Sequence, residues 1–127
     1  MNAKNKLLIV PVLVLSACQL YYEEKPLETT ETLKPSFVSI KKNIIDRRCL
    51  SCHSSGGNAG SVRLTSREEI LNSPRELVLL GNAEESGLMI AITRNDDKRM
   101  PPSNQGNPLS NEEIEIIRKW IKNGAPE

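Results

Sequence analysis

Hydrophobic and polar positions change rhythm several times along this chain, and each change marks a boundary. Residues 7–15 form an almost unbroken apolar run behind Lys4 and Lys6. A basic flank ahead of a short apolar core is the pattern of an export signal, and the run is too short to cross a bilayer. Residues 19–35 then mix Glu, Thr and Pro with no sustained period, as expected for a tether that cannot bury a core. Helical spacing sets in after Ser36. Phe37, Ile40, Ile44 and Ile45 predict a first helix that feeds directly into Cys49. Ser66-Arg67-Glu68-Glu69 has the form of a capping box, so a short helix should follow it. Ala83 to Ile92 predicts a third, with Leu88, Ile90 and Ile92 among its apolar positions. The last helix is the clearest. Ser110 caps it, Glu113 completes the box, and Ile114, Ile117 and Ile121 line one face beside Ile116 and Trp120. Gly124 and Pro126 stop it. No alternating strand pattern competes, so the expected class is all-α.

The 127 residues bound the chain to one folded domain. The expected division is an export signal at 1–17, a tether at 18–35 and a domain at 36–127. From Ser36 onward the only aromatics are Phe37 and Trp120, which should pack where the first and last helices cross. A domain this small and this poor in aromatic residues has little core of its own, so a large apolar cofactor would supply surface that the sequence lacks.

The chemistry-bearing motif is Cys49-Leu50-Ser51-Cys52-His53, the C-x-x-C-H signature of c-type haem attachment. Two thiols about one helical turn apart can add across the two vinyl groups of one porphyrin edge. The adjoining imidazole then lies beneath the iron as proximal ligand. His53 is the only histidine in the chain. The third cysteine, Cys18, ends Leu15-Ser16-Ala17-Cys18, which resembles the lipobox of bacterial lipoproteins and predicts a lipid-carrying thiol. An ordinary export signal with an incidental Cys18 is the alternative. Lipid on Cys18 and haem on Cys49 and Cys52 would use every thiol, whereas a disulfide would leave one over. Haem c attachment in bacteria also takes place outside the cytoplasmic membrane, so both signals name one compartment.

A sixth ligand for the iron would come from sulfur. Met89 sits inside a predicted helix, where a core role is the default. Met100 lies in Lys98-Arg99-Met100-Pro101-Pro102, outside any helical pattern, where the prolines favour an extended, stiff strap. It is the candidate distal ligand. With Cys49, Cys52 and His53, then Gly81-Asn82, Ser86 and Leu88, then Met100-Pro101-Pro102 and the closing helix through Trp120, Gly124 and Ala125, the chain resembles the small class I-type cytochrome c domains of bacterial lipoproteins and multidomain periplasmic proteins. The resemblance implies a fold of about four short helices around one covalently attached haem c, with His53 and Met100 as axial ligands. One departure stands out. Many such domains place a proline soon after the attachment site, near the carbonyl that holds the histidine ring. Here Gly56, Gly57 and Gly60 occupy that stretch, with no proline between His53 and Pro74, which leaves the group orienting His53 unassigned.

The expected function is single-electron transfer between redox partner proteins, since histidine–methionine ligation leaves the iron no place for substrate. No catalytic constellation is present, so the protein is not expected to be an enzyme by itself and no small-molecule substrate is evident. Removing residues 1–17 lowers Lys plus Arg from 17 to 15 against 16 Asp plus Glu, a balance that gives no argument for nucleic acid. Lys41, Lys42, Arg47, Arg48, Arg94, Lys98 and Arg99 flank the haem motifs, but Asp46, Asp96 and Asp97 interleave them, as on an ordinary solvated surface. The expected location is a lipid anchor facing the periplasm. Gln19 stands where an aspartate would retain an enteric-type lipoprotein at the inner membrane, which leans towards the outer one. The rival readings are a haem sensor with a labile methionine, an accessory subunit of a larger redox complex, and a zinc module, which would lack a fourth ligand.

Overall fold

Residues 32–127 are described by the computed structural model; the expected export signal, Cys18 and the tether up to residue 31 lie outside them. The helical rhythm first appears at Ser36, whose Oγ accepts from the Ser39 N–H at the start of α1 (Phe37–Ile40). A π-helical turn, Lys41–Ile45, continues the same rod into α2 (Asp46–Arg48). Within this turn Ile44 and Ile45 are both buried, together with Phe37 and Ile40. The rod bends at Cys49 (φ −122°, ψ −41°), and α3 (Leu50–His53) carries the rest of the C-x-x-C-H motif. Leu33, in the stretch expected to be tether, packs half-buried against the core, and the Lys34 N–H donates to Ser39 Oγ.

Of the two middle helices, the first is short as expected and the second is shorter than its sequence pattern suggests. At α4 (Arg67–Leu71), Ser66 Oγ accepts from the Glu69 N–H as expected. The Glu69 carboxylate does not complete a box, because Thr65 and Arg63 engage it instead. The helix expected over Ala83–Ile92 begins only at Gly87, as α5 (Gly87–Thr93). Residues 83–86 are turn because the buried Ser86 hydroxyl serves the loop, donating to the Asn82 carbonyl and accepting from the Leu79 N–H. Along α5, Met89 and Ile92 face the core while Ile90 is exposed.

The closing helix, α6 (Asn111–Lys122), has both halves of its capping box between Ser110 and Glu113. It buries Ile117, Trp120 and Ile121 against α1 and α5. Phe37 and Trp120 meet with ring centroids 6.1 Å apart at a 32° tilt, the expected packing of first helix on last. After Gly124 the tail folds back. The Pro126 carbonyl accepts from Trp120 Nε1 at 2.7 Å and from the Phe37 N–H at 3.0 Å, and the Ala125 carbonyl accepts from Arg67 Nε at 2.6 Å. Among the described residues there is no strand, and the class is all-α. No described helix is long and apolar enough to cross a membrane.

Candidate cofactor site

The bend at Cys49 sets the site. The Cys52 and His53 N–H groups both donate to the Cys49 carbonyl, at 3.1 and 2.9 Å, so the two thiols and the imidazole share one helical turn. The chain then loops through the glycine-rich residues 54–62 and returns onto the motif. The Ala59 N–H donates to the Cys52 carbonyl at 2.9 Å, and the Leu64 N–H to the His53 carbonyl at 3.0 Å. Gly57 lies so close that a Cβ there would stand 2.2 Å from the Cys52 carbonyl oxygen. No side chain fits at that position.

This loop supplies the group that the sequence leaves unassigned. His53 Nδ1 lies 2.9 Å from the Val62 carbonyl oxygen. A carbonyl can only accept, so Nδ1 carries the proton and Nε2 keeps its lone pair for a metal. A backbone carbonyl has no sequence signature of its own. The one trace in the sequence is indirect and was not read as such: a run of small residues whose length lets the chain double back.

Above α3 lies a cavity of about 420 Å³, within the range of small-molecule and cofactor sites. Cys49, Cys52 and His53 form one part of its wall, and Met100, Pro101 and Pro102 form another. Val62, Leu64, Leu77, Leu88, Ala91, Ile92 and Leu109 make most of the remainder apolar. Met100 is half-buried and held by its own N–H, which donates to the Ala91 carbonyl at the end of α5 at 2.9 Å. Met89, the other methionine of the domain, is 1% exposed in the core and takes no part in the wall. The four residues singled out in the domain by sequence therefore meet on one cavity. A second depression of about 600 Å³, beside Arg63, Glu69 and Asn72, is broad and open and holds none of them.

Residues 49–104 match the family model described as Planctomycete cytochrome C. The match supports a cytochrome c-type domain over those residues. The match begins at Cys49 and ends just past Met100-Pro101-Pro102, so it spans Cys49, Cys52, His53 and Met100 and most of the cavity wall. No curated protein and no solved structure matches the chain. Such a domain implies covalently bound haem c and an electron-carrying role.

The donor set fits that group: two thiols on one helical turn, an imidazole with Nε2 available, a thioether, and an apolar wall for the porphyrin. Charge at the site is sparse. Burial, the dominant cause, pushes the Cys49 thiol up to about 11, with the Arg48 charge opposing and the Glu113 charge reinforcing it. Arg48 itself is engaged through both terminal nitrogens: it pairs with Glu113 at 2.9 Å and donates to the Asn107 and Pro108 carbonyls at 2.5 and 3.1 Å. These bonds pin the strap before α6 to the end of α2.

Proposed function

We propose that this protein is a monohaem c-type cytochrome that passes single electrons between redox partners while anchored to a membrane through lipid on Cys18. Cys49 and Cys52 would hold the haem as thioethers, His53 would be its proximal ligand and Met100 its distal one. The observation that carries the reading is the placement of all four side chains on the wall of one apolar cavity. Bound haem supplies a one-electron iron couple, and methionine opposite histidine raises its potential.

The chain does the rest. The Val62 carbonyl fixes the His53 ring through Nδ1, which keeps Nε2 aimed at one point and makes the imidazole a stronger donor. Met100 is held from behind by Ala91 and is followed by two prolines, so its thioether is presented without a large ordering cost. The apolar wall keeps water away, which limits rearrangement when charge enters or leaves. With His53 and Met100 both holding the iron there would be no place for a substrate, which favours a carrier over an enzyme by itself. Export by the residue 1–17 signal would put it on the periplasmic face, and Gln19 leans towards the outer membrane.

The test is an optical spectrum of the full-length protein, co-expressed with a cytochrome c maturation system, in both redox states. The expected result is covalent haem with the weak far-red band of methionine–iron ligation, lost in Met100→Ala. Covalent haem without that band and with ready carbon monoxide binding would favour a sensor. No covalent haem would overturn the reading.

A further inference from the structure

A haem brings two carboxylates as well as an apolar ring, and a nearly apolar cavity must have somewhere to put them. The cavity wall contains no Asp or Glu and two charged side chains, Arg48 and Arg75. Arg48 adjoins Cys49, so it stands on the side where the thioethers would hold the vinyl edge. Its guanidinium is already taken up by Glu113 and two carbonyls. Arg75 comes from another segment, the loop between α4 and α5. Its backbone N–H donates to Ser73 Oγ, but its guanidinium has no hydrogen bond or ion pair among the described residues.

That loop is held in place with some force. Glu76 adopts φ 50°, a left-handed conformation that a glutamate enters only when its surroundings impose it. Its carbonyl accepts from the Gly87 N–H at 2.9 Å, and the Leu77 carbonyl accepts from Leu88 at 3.0 Å. The loop packs so tightly on the start of α5 that a Cβ on Gly87 would come within 2.9 Å of the Arg75 carbonyl oxygen. A strained turn thus fixes the backbone of one unpartnered arginine at the edge of the cavity.

We propose that the Arg75 guanidinium pairs with a propionate carboxylate of the haem, on the edge opposite Cys49 and Cys52, neutralising its charge and orienting the ring. The assignment rests on the reading of the cavity as a haem site. Arginine suits the role because its planar fork can take a carboxylate with two N–H donors. A cation there also favours the reduced haem, which carries one more negative charge than the oxidised form.

The experiment compares full-length holoprotein with Arg75→Gln, Arg75→Lys and, as a charge control at the exposed end of α6, Lys122→Gln. Redox titration should show Arg75→Gln with a lower midpoint, corresponding to roughly a threefold to tenfold loss in the reduced-to-oxidised ratio at fixed poise, where tenfold is 59 mV for one electron. Arg75→Lys should recover much of the shift and Lys122→Gln should cause little. An Arg75→Gln midpoint equal to wild type would overturn the pairing. If that variant fails to hold haem, the wild-type protein decides by NMR titration of the propionate methylene signals. One propionate should stay ionised below the ordinary carboxylate range of about 4; both titrating within it would overturn the proposal. Covalent haem in the wild type is read separately by mass, so failure of the haem reading is distinguishable from failure of the Arg75 assignment.

Discussion

Replacing Gly57 by alanine probes the docking of the returning loop on the C-x-x-C-H turn most directly. The added Cβ would stand 2.2 Å from the Cys52 carbonyl oxygen, 2.5 Å from its carbon and 2.9 Å from Cys52 Cα. All three are backbone atoms inside the C-x-x-C-H turn, so no side chain can swing aside. Either the loop or the turn must move. Overpacking a tight site costs about 1–3 kcal/mol, and loss of the Ala59–Cys52 hydrogen bond adds about 0.5–1.5 kcal/mol. The expected loss is therefore about 1.5–4.5 kcal/mol, at about 4–8 °C in Tm for each kcal/mol in a domain of this size. Gly56→Ala is the paired control, because a Cβ there meets nothing within 4 Å; it should change stability by no more than about 0.5 kcal/mol. Thermal and urea unfolding of both holoproteins, followed by the haem absorbance, gives the comparison. Because the same loop carries the Val62 carbonyl, Gly57→Ala should also perturb the His53 ring N–H resonance. A Gly57→Ala protein as stable as Gly56→Ala would refute the close docking of the loop.

Other outcomes follow from single contacts. Trp120→Phe removes a side chain with no exposed surface and its bond to the Pro126 carbonyl, and should cost about 2 kcal/mol by denaturant unfolding. The Arg94 guanidinium beside Asp96 holds its exposed carboxyl down to about 2, helped by the Lys98 N–H. Its contribution is present above the usual carboxylate value and is lost as pH falls through about 2. Carbon-detected NMR should show Asp96 titrating there, and Arg94→Gln should bring it back towards 3.8.

What the sequence makes legible here is what side chains write into it. The capping box at Ser110 and Glu113, the apolar face of α6 and the packing of Phe37 on Trp120 depend on residue type at fixed spacing. So does the C-x-x-C-H turn. Met100 stands out because prolines follow it and no helical pattern claims it. The features that stay hidden are made by backbone. The π-helical turn at Lys41–Ile45 is a shift of backbone hydrogen bonding that leaves no mark in residue type. Residues 83–86 have helical spacing, yet the Ser86 hydroxyl competes for the same backbone groups and keeps them in a turn. The Val62 carbonyl that orients His53 could belong to any residue at that point in the loop. Glu69 is a case of rivalry between side chains, drawn to Thr65 and Arg63 rather than to the cap it should complete.

The fold-back of the tail has a further consequence. Phe37 and Pro126, almost 90 residues apart in the chain, are joined by a hydrogen bond of 3.0 Å, so the domain is nearly a closed ring with its entrance and exit side by side. A short linker joining them would let the chain be cut open elsewhere, in the broad loops away from the cavity, without altering the order of its helices. For the same reason the whole domain could be spliced into a surface loop of another protein, adding a redox module while barely separating the host's two strands of chain.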